Sequence, residues 1–233
     1  MLQHLIENEK FEHHFQPLFN LNSKTKIGYE ALFRSKLFKS PELAFNEAKK
    51  ENRLYDLDIK SIKKAVATSH KLKETSPTKL FLNVFPSNLI KREFLNFLDE
   101  LKSCIPKQLQ VVLEINEAEM IFDFNLLKKR IQALKERGFL FALDDVGKGS
   151  SSLLSLIELN PDYIKMDKYF SNKLSKSVHK QQLIKSFINY CEGTKSELIL
   201  EGIKEKEDME TAVKLGVSYG QGYFLGKPAP VSL

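Results

Sequence analysis

Short apolar, β-rich runs alternate with longer stretches of helical periodicity along most of the chain. Near the N-terminus, the runs at 15–19 and 26–33 flank a polar turn at 20–23, which predicts a β-hairpin. From residue 79 onward, strand and helix patterns alternate regularly, and this order predicts parallel strands joined by right-handed crossovers. The eight predicted strands are 15–19, 26–33, 79–84, 109–115, 139–143, 163–166, 198–200 and 220–224.

The segments between these strands have the spacing of amphipathic helices, and Ser87 is a candidate N-cap for one of them. Both a closed α/β barrel and a doubly wound open sheet fit this rhythm. No Gly-x-Gly-x-x-Gly follows an early strand, which weakens a dinucleotide-binding fold. The predicted helices are 40–51, 56–73, 87–102, 123–137, 151–159, 175–192 and 206–215.

A carboxylate, an amide or an amine stands at the end of almost every predicted strand. In a barrel, the carboxyl ends of the strands share one face, so these groups would converge, whereas an open sheet would string them in a line. Any one of these residues alone is explained by a helix cap or a solvated loop, but their repetition at successive strand ends favours a functional site. The whole chain, 1–233, is predicted to form the single domain that carries it. The residues are Glu30, Asn83, Glu114, Asp144, Asp145, Lys165, Asp167, Glu201 and Gln221.

The donor atoms of this set indicate a hard divalent cation. The set holds carboxylate and amide oxygens and no His or Cys, which suits Mg²⁺ or Mn²⁺. Two adjacent aspartates, Asp144 and Asp145, could serve a pair of ions that clamp an in-line displacement at phosphorus. Lys165 is the one cation of the set, and it could stabilise developing negative charge or hold the attacking water.

Composition narrows the picture further. The net charge of +6 comes from Lys and Arg spread along the chain, and no nucleic-acid-binding motif accompanies it, so a polymer of nucleic acid is not expected as partner. Cys104 and Cys191 lie in separate helices and are expected to be free thiols. The five histidines have no metal-pair spacing and are expected at the surface. No apolar run has membrane-span or signal-peptide length, which favours a soluble cytoplasmic protein without a membrane partner.

Eight short motifs, in order, resemble those of the EAL domain family over nearly the whole chain. Residues 28–34, Gly-Tyr-Glu-Ala-Leu-Phe-Arg, resemble the signature that gives the family its name. The others are Phe15-Gln16-Pro17, Leu82-Asn83-Val84, Leu113-Glu114-Ile115-Asn116-Glu117, Asp144-Asp145-Val146-Gly147, Ile164-Lys165-Met166-Asp167, Glu201-Gly202-Ile203 and Gln221-Gly222-Tyr223.

The resemblance implies a modified TIM (β/α)8 barrel with one antiparallel strand, and a phosphodiesterase that linearises cyclic di-GMP to pGpG with two Mg²⁺ or Mn²⁺ ions. It also implies a homodimer. By position, one ion would be held by Glu30, Asn83, Glu114 and Asp144, and the second by Asp144, Asp145 and Glu201. Lys165 would contact the catalytic water, and Glu201 would also act as a base. The nucleotide would lie against Gln16, Leu32, Arg34, Asp167 and Gln221, and Glu117 would fix the loop at 146–152.

The chain departs from the family pattern at four positions. Val146, Lys148 and Ser150 replace the usual residues of the loop after the aspartate pair, and Lys204 stands where a second glutamate is common. The altered loop leaves open a catalytically silent EAL domain that acts as a cyclic di-GMP receptor or protein-interaction module. A hydrolase of a different phosphodiester also fits the metal ligands, but not the pattern of Leu32, Arg34 and Gln221.

Overall fold

The eight strands close into a barrel. The structure is a computed structural model that describes residues 1–72, 77–116, 123–148 and 152–231. The strands follow chain order round the barrel, and β1 pairs with β8 to close it. They are β1 Glu12–Asn20, β2 Lys26–Arg34, β3 Thr78–Val84, β4 Leu109–Asn116, β5 Leu140–Val146, β6 Tyr163–Met166, β7 Glu197–Leu200 and β8 Tyr219–Gly220.

One strand of the barrel runs against the others. β1 is antiparallel to both of its neighbours, β2 and β8, whereas β2 to β8 pair in parallel. The tight connection between β1 and β2 is a hairpin, which forces opposite directions on the two strands. The expected barrel with one antiparallel strand is therefore confirmed, and the closing β1–β8 pair rules out the open sheet.

Helices occupy the connections between the strands. Their N-termini follow ordinary capping chemistry: the Ser40 and Asp123 side chains accept from backbone N–H groups three residues on, and Pro41 stands at the first helical position of α2. The helices are α1 Leu2–Glu7, α2 Pro41–Lys50, α3 Leu54–Ser69, α4 Pro86–Leu89, α5 Arg92–Cys104, α6 Phe124–Glu136, α7 Ser152–Leu159, α8 Lys168–Ser171, α9 Val178–Thr194 and α10 Lys206–Leu215.

Two of the sequence-based elements are wrong in detail, and short helices were missed. The helix expected over 87–102 is two helices, because Lys91 is extended between α4 and α5, and Ser87 lies inside α4 rather than capping it. The last strand stops at Gly220 instead of reaching 224, because the chain turns at Gly222, whose carbonyl accepts from two N–H groups downstream. Helices α1 and α8 were not anticipated; the apolar residues of α1 pack with Phe11, Phe33 and residues of α2 and α3.

The core has two layers. Outward-facing strand residues and the inner faces of the helices form the larger layer. Inside the barrel, a smaller apolar layer fills the half away from the carboxyl ends of the parallel strands, as in other barrels. Its buried members are Leu18, Phe81, Val112, Ala142, Tyr163 and Ile199. We call these six residues the apolar plug. The plug closes one end of the barrel, so a ligand can reach the interior only from the other end.

The prediction that all five histidines lie at the surface is wrong for His13. This side chain is only 4% exposed and points outward from β1 towards α3, where its Nε2 lies 3.0 Å from the hydroxyl of Ser61. Phe11 and Phe33 surround it. Burial, followed by the charges of Lys64 and Arg34, lowers the pKa of His13 to about 3. His13 is thus a neutral core residue at physiological pH.

Both cysteines are free thiols, as expected, with Cys104 exposed and Cys191 buried. Within the described part of the chain, none of the helices combines the length and the apolar character that a membrane span requires.

Candidate functional site

A polar layer lies directly above the apolar plug, and the alternation of strand side chains places it there. Successive strand residues face opposite sides, so a residue two positions beyond a plug residue also points into the barrel. Phe81 is followed in this way by Asn83, and Val112 by Glu114. The same step on the other strands leads to Asp144, Lys165, Glu201 and Gln221, and on the reversed strand β1 it leads from Leu18 back to Gln16. Glu30 enters from β2 opposite Gln16.

Lys165 is the centre of the site. Its side chain is fully buried, and its Nζ lies within ion-pair distance of four carboxylates from four different strands or strand ends. The distances are 2.7 Å to Glu114, 2.9 Å to Glu201, 3.2 Å to Asp144 and 3.3 Å to Glu30. One ammonium cannot neutralise four carboxylates, so the site is strongly acidic.

The acidity is visible in the pKa values of the site. Burial, opposed by Lys165 and reinforced by Glu30, raises the pKa of both Glu114 and Asp144 above its usual range. Burial likewise raises the pKa of Glu201 to about 8. Burial alone would lower the pKa of Lys165, but the surrounding carboxylates outweigh it and raise that pKa well above its ordinary value. The ammonium is therefore permanently charged, and the carboxylates still lack positive charge.

Two amides hold Glu30 in place. Gln221 Nε2 donates to one oxygen at 2.7 Å, and Asn83 Nδ2 donates to the other at 3.3 Å. Gln221 also donates to Gln16 Oε1 at 3.1 Å, and Gln16 in turn donates to the carbonyl of Gly226 at 3.0 Å. This chain of hydrogen bonds crosses the β1–β8 seam and fixes the orientation of a carboxylate that sequence alone could place only at a strand.

The donor set fits a divalent cation in chemistry, although the carboxylates converge on Lys165. Both oxygens of Glu114 are buried, and the cation beside them is Lys165 Nζ, which lies 2.7 Å from one oxygen and is shared among four carboxylates. Such burial is costly unless further positive charge compensates it. Among those residues, no group of three or more acidic, His or Cys side chains is arranged round a common ion-sized point. The physical reason is the ammonium, which occupies the position towards which the carboxylates point.

The backbone of β5 directs the side chains of Asp144 and Asp145 to different partners. β5 has a register shift against β6 between Leu143 and Val146, and Asp145 within it has a left-handed φ of 56°. Asp144 reaches Lys165, whereas Asp145 accepts a 2.7 Å hydrogen bond from Asn116 Nδ2 and lies 3.7 Å from Lys148. A left-handed backbone conformation at an aspartate costs about 1 kcal/mol, so contacts with neighbouring residues have to stabilise it.

Asn116 is therefore a site residue to which the sequence analysis gave no role. The signal was present, because Asn116 lies two residues beyond Glu114 on the same inward face of β4. What the sequence could not show is that its partner would be Asp145 on the neighbouring strand.

The expected nucleotide-contacting residues occupy the mouth of the barrel in part. Leu32 and Arg34 continue the inward face of β2 and are half-buried, with Arg34 donating to the carbonyl of Phe33 at 2.7 Å. Asp167 has a local partner, because its carboxylate caps α8 by accepting from Tyr169 N at 2.7 Å. Glu117 lies outside the described residues, as does the middle of the loop at 146–152.

A cavity of about 240 Å³ opens beside the carboxylates. Glu30, Glu201 and Gln221 line its inner side, and Lys168 and Lys204 are among the residues of its outer side. A larger groove of about 440 Å³ lies between α6 and α7 on the outside of the barrel, far from the acidic layer. The smaller cavity is the one in contact with the candidate chemistry.

Comparison with known proteins gives a consistent result. The model of the EAL domain family matches residues 1–228. Cyclic di-GMP phosphodiesterase PdeA of Borreliella burgdorferi is 30% identical over 234 residues, which cover 97% of this chain and 35% of that protein. Blue light- and temperature-regulated antirepressor BluF of Escherichia coli is 27% identical over 215 residues, which cover 91% of this chain and 53% of that protein. The chain thus spans about a third to a half of these relatives.

Among solved structures, BlrP1 of Klebsiella pneumoniae in a calcium and cyclic di-GMP complex superimposes with a TM-score of 0.84 at 28% identity. The match covers 99% of this chain and 58% of that one. The same protein has also been solved as a manganese and cyclic di-GMP complex.

Proposed function

Because the chain belongs to the EAL domain family, we propose that it hydrolyses cyclic di-GMP to linear pGpG with Mg²⁺ or Mn²⁺. The observation that carries this proposal is the buried acidic layer, in which four carboxylates and Lys165 meet at the open end of the barrel. A relative named as a cyclic di-GMP phosphodiesterase, and a neighbour solved with the dinucleotide and a divalent cation, support it.

The electrostatics of the layer argue for metal ions. A phosphodiester anion approaching the carboxylates would be repelled unless divalent cations neutralise them. In the proposal, Glu30, Asn83, Glu114 and Asp144 hold one ion, and Asp144, Asp145 and Glu201 hold the second. Such a pair supplies charge stabilisation to the attacking and leaving oxygens of a displacement at phosphorus.

The protein side chains have separate tasks in this reaction. Water adds to phosphorus, the bond from phosphorus to the 3′ oxygen breaks, and that oxygen takes up a proton from solvent. Glu201 accepts the proton that the water loses; it stands 2.9 Å from Lys165 and lines the cavity through which substrate enters. Lys165 orients the water and offsets the charge that develops on the phosphoryl oxygens. Gln16, Leu32, Arg34, Asp167 and Gln221 are proposed to contact the nucleotide.

A chromatographic assay tests the proposal. The purified protein is incubated with cyclic di-GMP and Mg²⁺, Mn²⁺ or chelator, and pGpG is quantified. Turnover is expected with either metal, none with chelator, and a loss of at least about a hundredfold in Glu30→Gln. Glu192→Gln, at an exposed position on α9, is the matched control and should stay active.

The second candidate is a catalytically silent domain that binds cyclic di-GMP or a protein partner. One observation favours it: a relative that matches 91% of the chain is named as an antirepressor and not as a phosphodiesterase. Measurable binding of cyclic di-GMP without turnover in either metal would decide for this candidate. Turnover of another phosphodiester in place of cyclic di-GMP would instead support the third alternative.

A homodimer is part of the proposal as well. Helix α7 presents Leu153, Leu154 and Ile157 to solvent, with exposed fractions of 67%, 51% and 68%. Apolar side chains so exposed on one short helix are typical of an association surface. Light scattering after size exclusion measures the mass, and Ile157→Lys should shift a dimer towards monomer.

A further inference from the structure

Two lysines flank the cavity beside the acidic layer. Lys168, at the start of α8, and Lys204, after β7, line the same cavity of about 240 Å³ as Glu201 and Gln221. Both are exposed, and neither ammonium group forms an ion pair or a hydrogen bond with any residue in the described ranges. Exposed lysines are common, but these two share a cavity with the carboxylates of Glu30 and Glu201 and pair with neither.

The backbone holds the two lysine-bearing segments together. Gly202 has a φ of 68°, and a Cβ at that position would come within 2.2 Å of Lys168 Cβ. Only glycine permits this approach, so the segment that carries Lys204 lies directly against the start of α8. Asp167 fixes the other side by capping α8 through Tyr169 N. The two lysines are thus carried on neighbouring backbone segments that line the same cavity.

We propose that Lys168 and Lys204 form a subsite for a terminal phosphate, which makes the protein bind a linear 5′-phosphorylated dinucleotide more tightly than its unphosphorylated counterpart. A cyclic dinucleotide carries only diesters, with one negative charge each. A terminal phosphate carries about −1.5 to −2 at neutral pH and has three acceptor oxygens, which match two unpaired lysines. The chemistry of the ligand is therefore that of a phosphomonoester next to an acidic metal site.

This inference rests on the proposed function in one respect, namely that the phosphate is generated by cleavage beside Glu201. The two lysines would then bind the terminal phosphate of the product more strongly than a diester phosphate of the substrate. Release of pGpG would therefore be slowed. Lys204 gives the subsite its second positive charge beside Lys168.

Equilibrium binding of pGpG and of GpG, which lacks the 5′ phosphate, tests the subsite. Affinities are measured for the full chain with chelator and again with Mn²⁺, after chromatography has shown that both ligands remain intact. The wild type should prefer pGpG, and Lys204→Gln should weaken pGpG roughly three- to fivefold while leaving GpG unchanged. Lys204→Glu should weaken pGpG further. Lys185→Gln, at an exposed position on α9, is the control and should change neither affinity.

The preference for pGpG over GpG should also fall at high salt, because exposed charge pairs are screened. Equal binding of the two ligands by the wild type, no binding of either, or an equal loss for both in Lys204→Gln would overturn the subsite. These outcomes do not depend on hydrolysis. A protein that prefers pGpG but does not cleave cyclic di-GMP keeps the subsite and loses only the proposed activity.

Discussion

Replacing Lys165 by Met removes the one cation in the centre of the acidic layer. The substitution keeps a side chain of similar length, and the side chain of Lys165 is fully buried, so solvent cannot take over the role of the ammonium. The four carboxylate contacts, at 2.7–3.3 Å, are each worth about 5–6 kcal/mol at an effective dielectric of 20, before desolvation is subtracted. After desolvation, breaking a buried pair of this kind costs about 3–5 kcal/mol.

The carboxyl groups determine how the stability of the Lys165→Met variant changes with pH. Burial already raises the pKa of Glu114, Asp144 and Glu201, and Lys165 opposes that rise. Without the ammonium, these pKa values rise further. A carboxyl group whose pKa is raised in the folded state contributes stability below its unfolded pKa, near 4.5, and loses it as pH increases through the folded value. The loss in free energy of unfolding caused by Lys165→Met should therefore be smallest near pH 5 and largest near pH 8.5.

Urea denaturation with chelator measures this difference at both pH values. Near pH 8.5, Lys165→Met is expected to lower the free energy of unfolding by about 3–5 kcal/mol, and Mn²⁺ should restore part of the loss. Lys128→Met is the control, because Lys128 forms an exposed ion pair with Glu158 at 3.5 Å and should cost about 1 kcal/mol or less. A loss below about 1 kcal/mol near pH 8.5, or equal losses at both pH values, would refute the account of the acidic layer.

Three further outcomes are expected. Because the pKa of His13 is lowered to about 3, its contribution to stability is present above its unfolded pKa near 6.5 and is lost as pH falls; urea denaturation should show about 2 kcal/mol lost by pH 5, and His13→Leu should remove that component. Asn116→Ala deprives Asp145 of its 2.7 Å donor and should lower pGpG formation about tenfold; an unchanged rate would mean that Asp145 needs no support. Asp58→Ala leaves the buried amide of Asn88 without its 2.8 Å acceptor and should cost about 1–3 kcal/mol in denaturation, unlike Asp56→Ala at the exposed start of α3.

The element order and the identity of the inward-facing polar residues were predictable from the sequence. Strand side chains alternate with a period of two, so Val112 and Glu114, or Tyr163 and Lys165, must share a face once the strand is recognised. The helical segments were recognisable from apolar spacing, and six of the seven predicted helices lie close to single helices of the structure. The hairpin at the start of the chain predicted the reversed strand.

Other features depended on contacts between residues far apart in the chain. Long-range contacts hold both sides of the break between α4 and α5: Asp58 of α3 accepts from Phe85 N and from Asn88, and the carbonyl of Ile90 accepts from Arg130 Nε at 3.1 Å. The burial of His13 depends on Ser61 and on two phenylalanines that close round it. Neither could be read from local periodicity, because local sequence specifies which face of an element a residue takes and not what that face meets.

For the site, the sequence by itself determined the chemistry: carboxylates, amides and one amine at the carboxyl ends of strands. Only the tertiary structure decided their geometry. Closure through the β1–β8 pair brings Gln221 to Glu30, and the register shift in β5 sends Asp144 to Lys165 and Asp145 to Asn116. The physical reason is that side-chain type and alternation are local properties, whereas the balance of charge at Lys165 arises only when four strands bring their carboxylates to one buried ammonium.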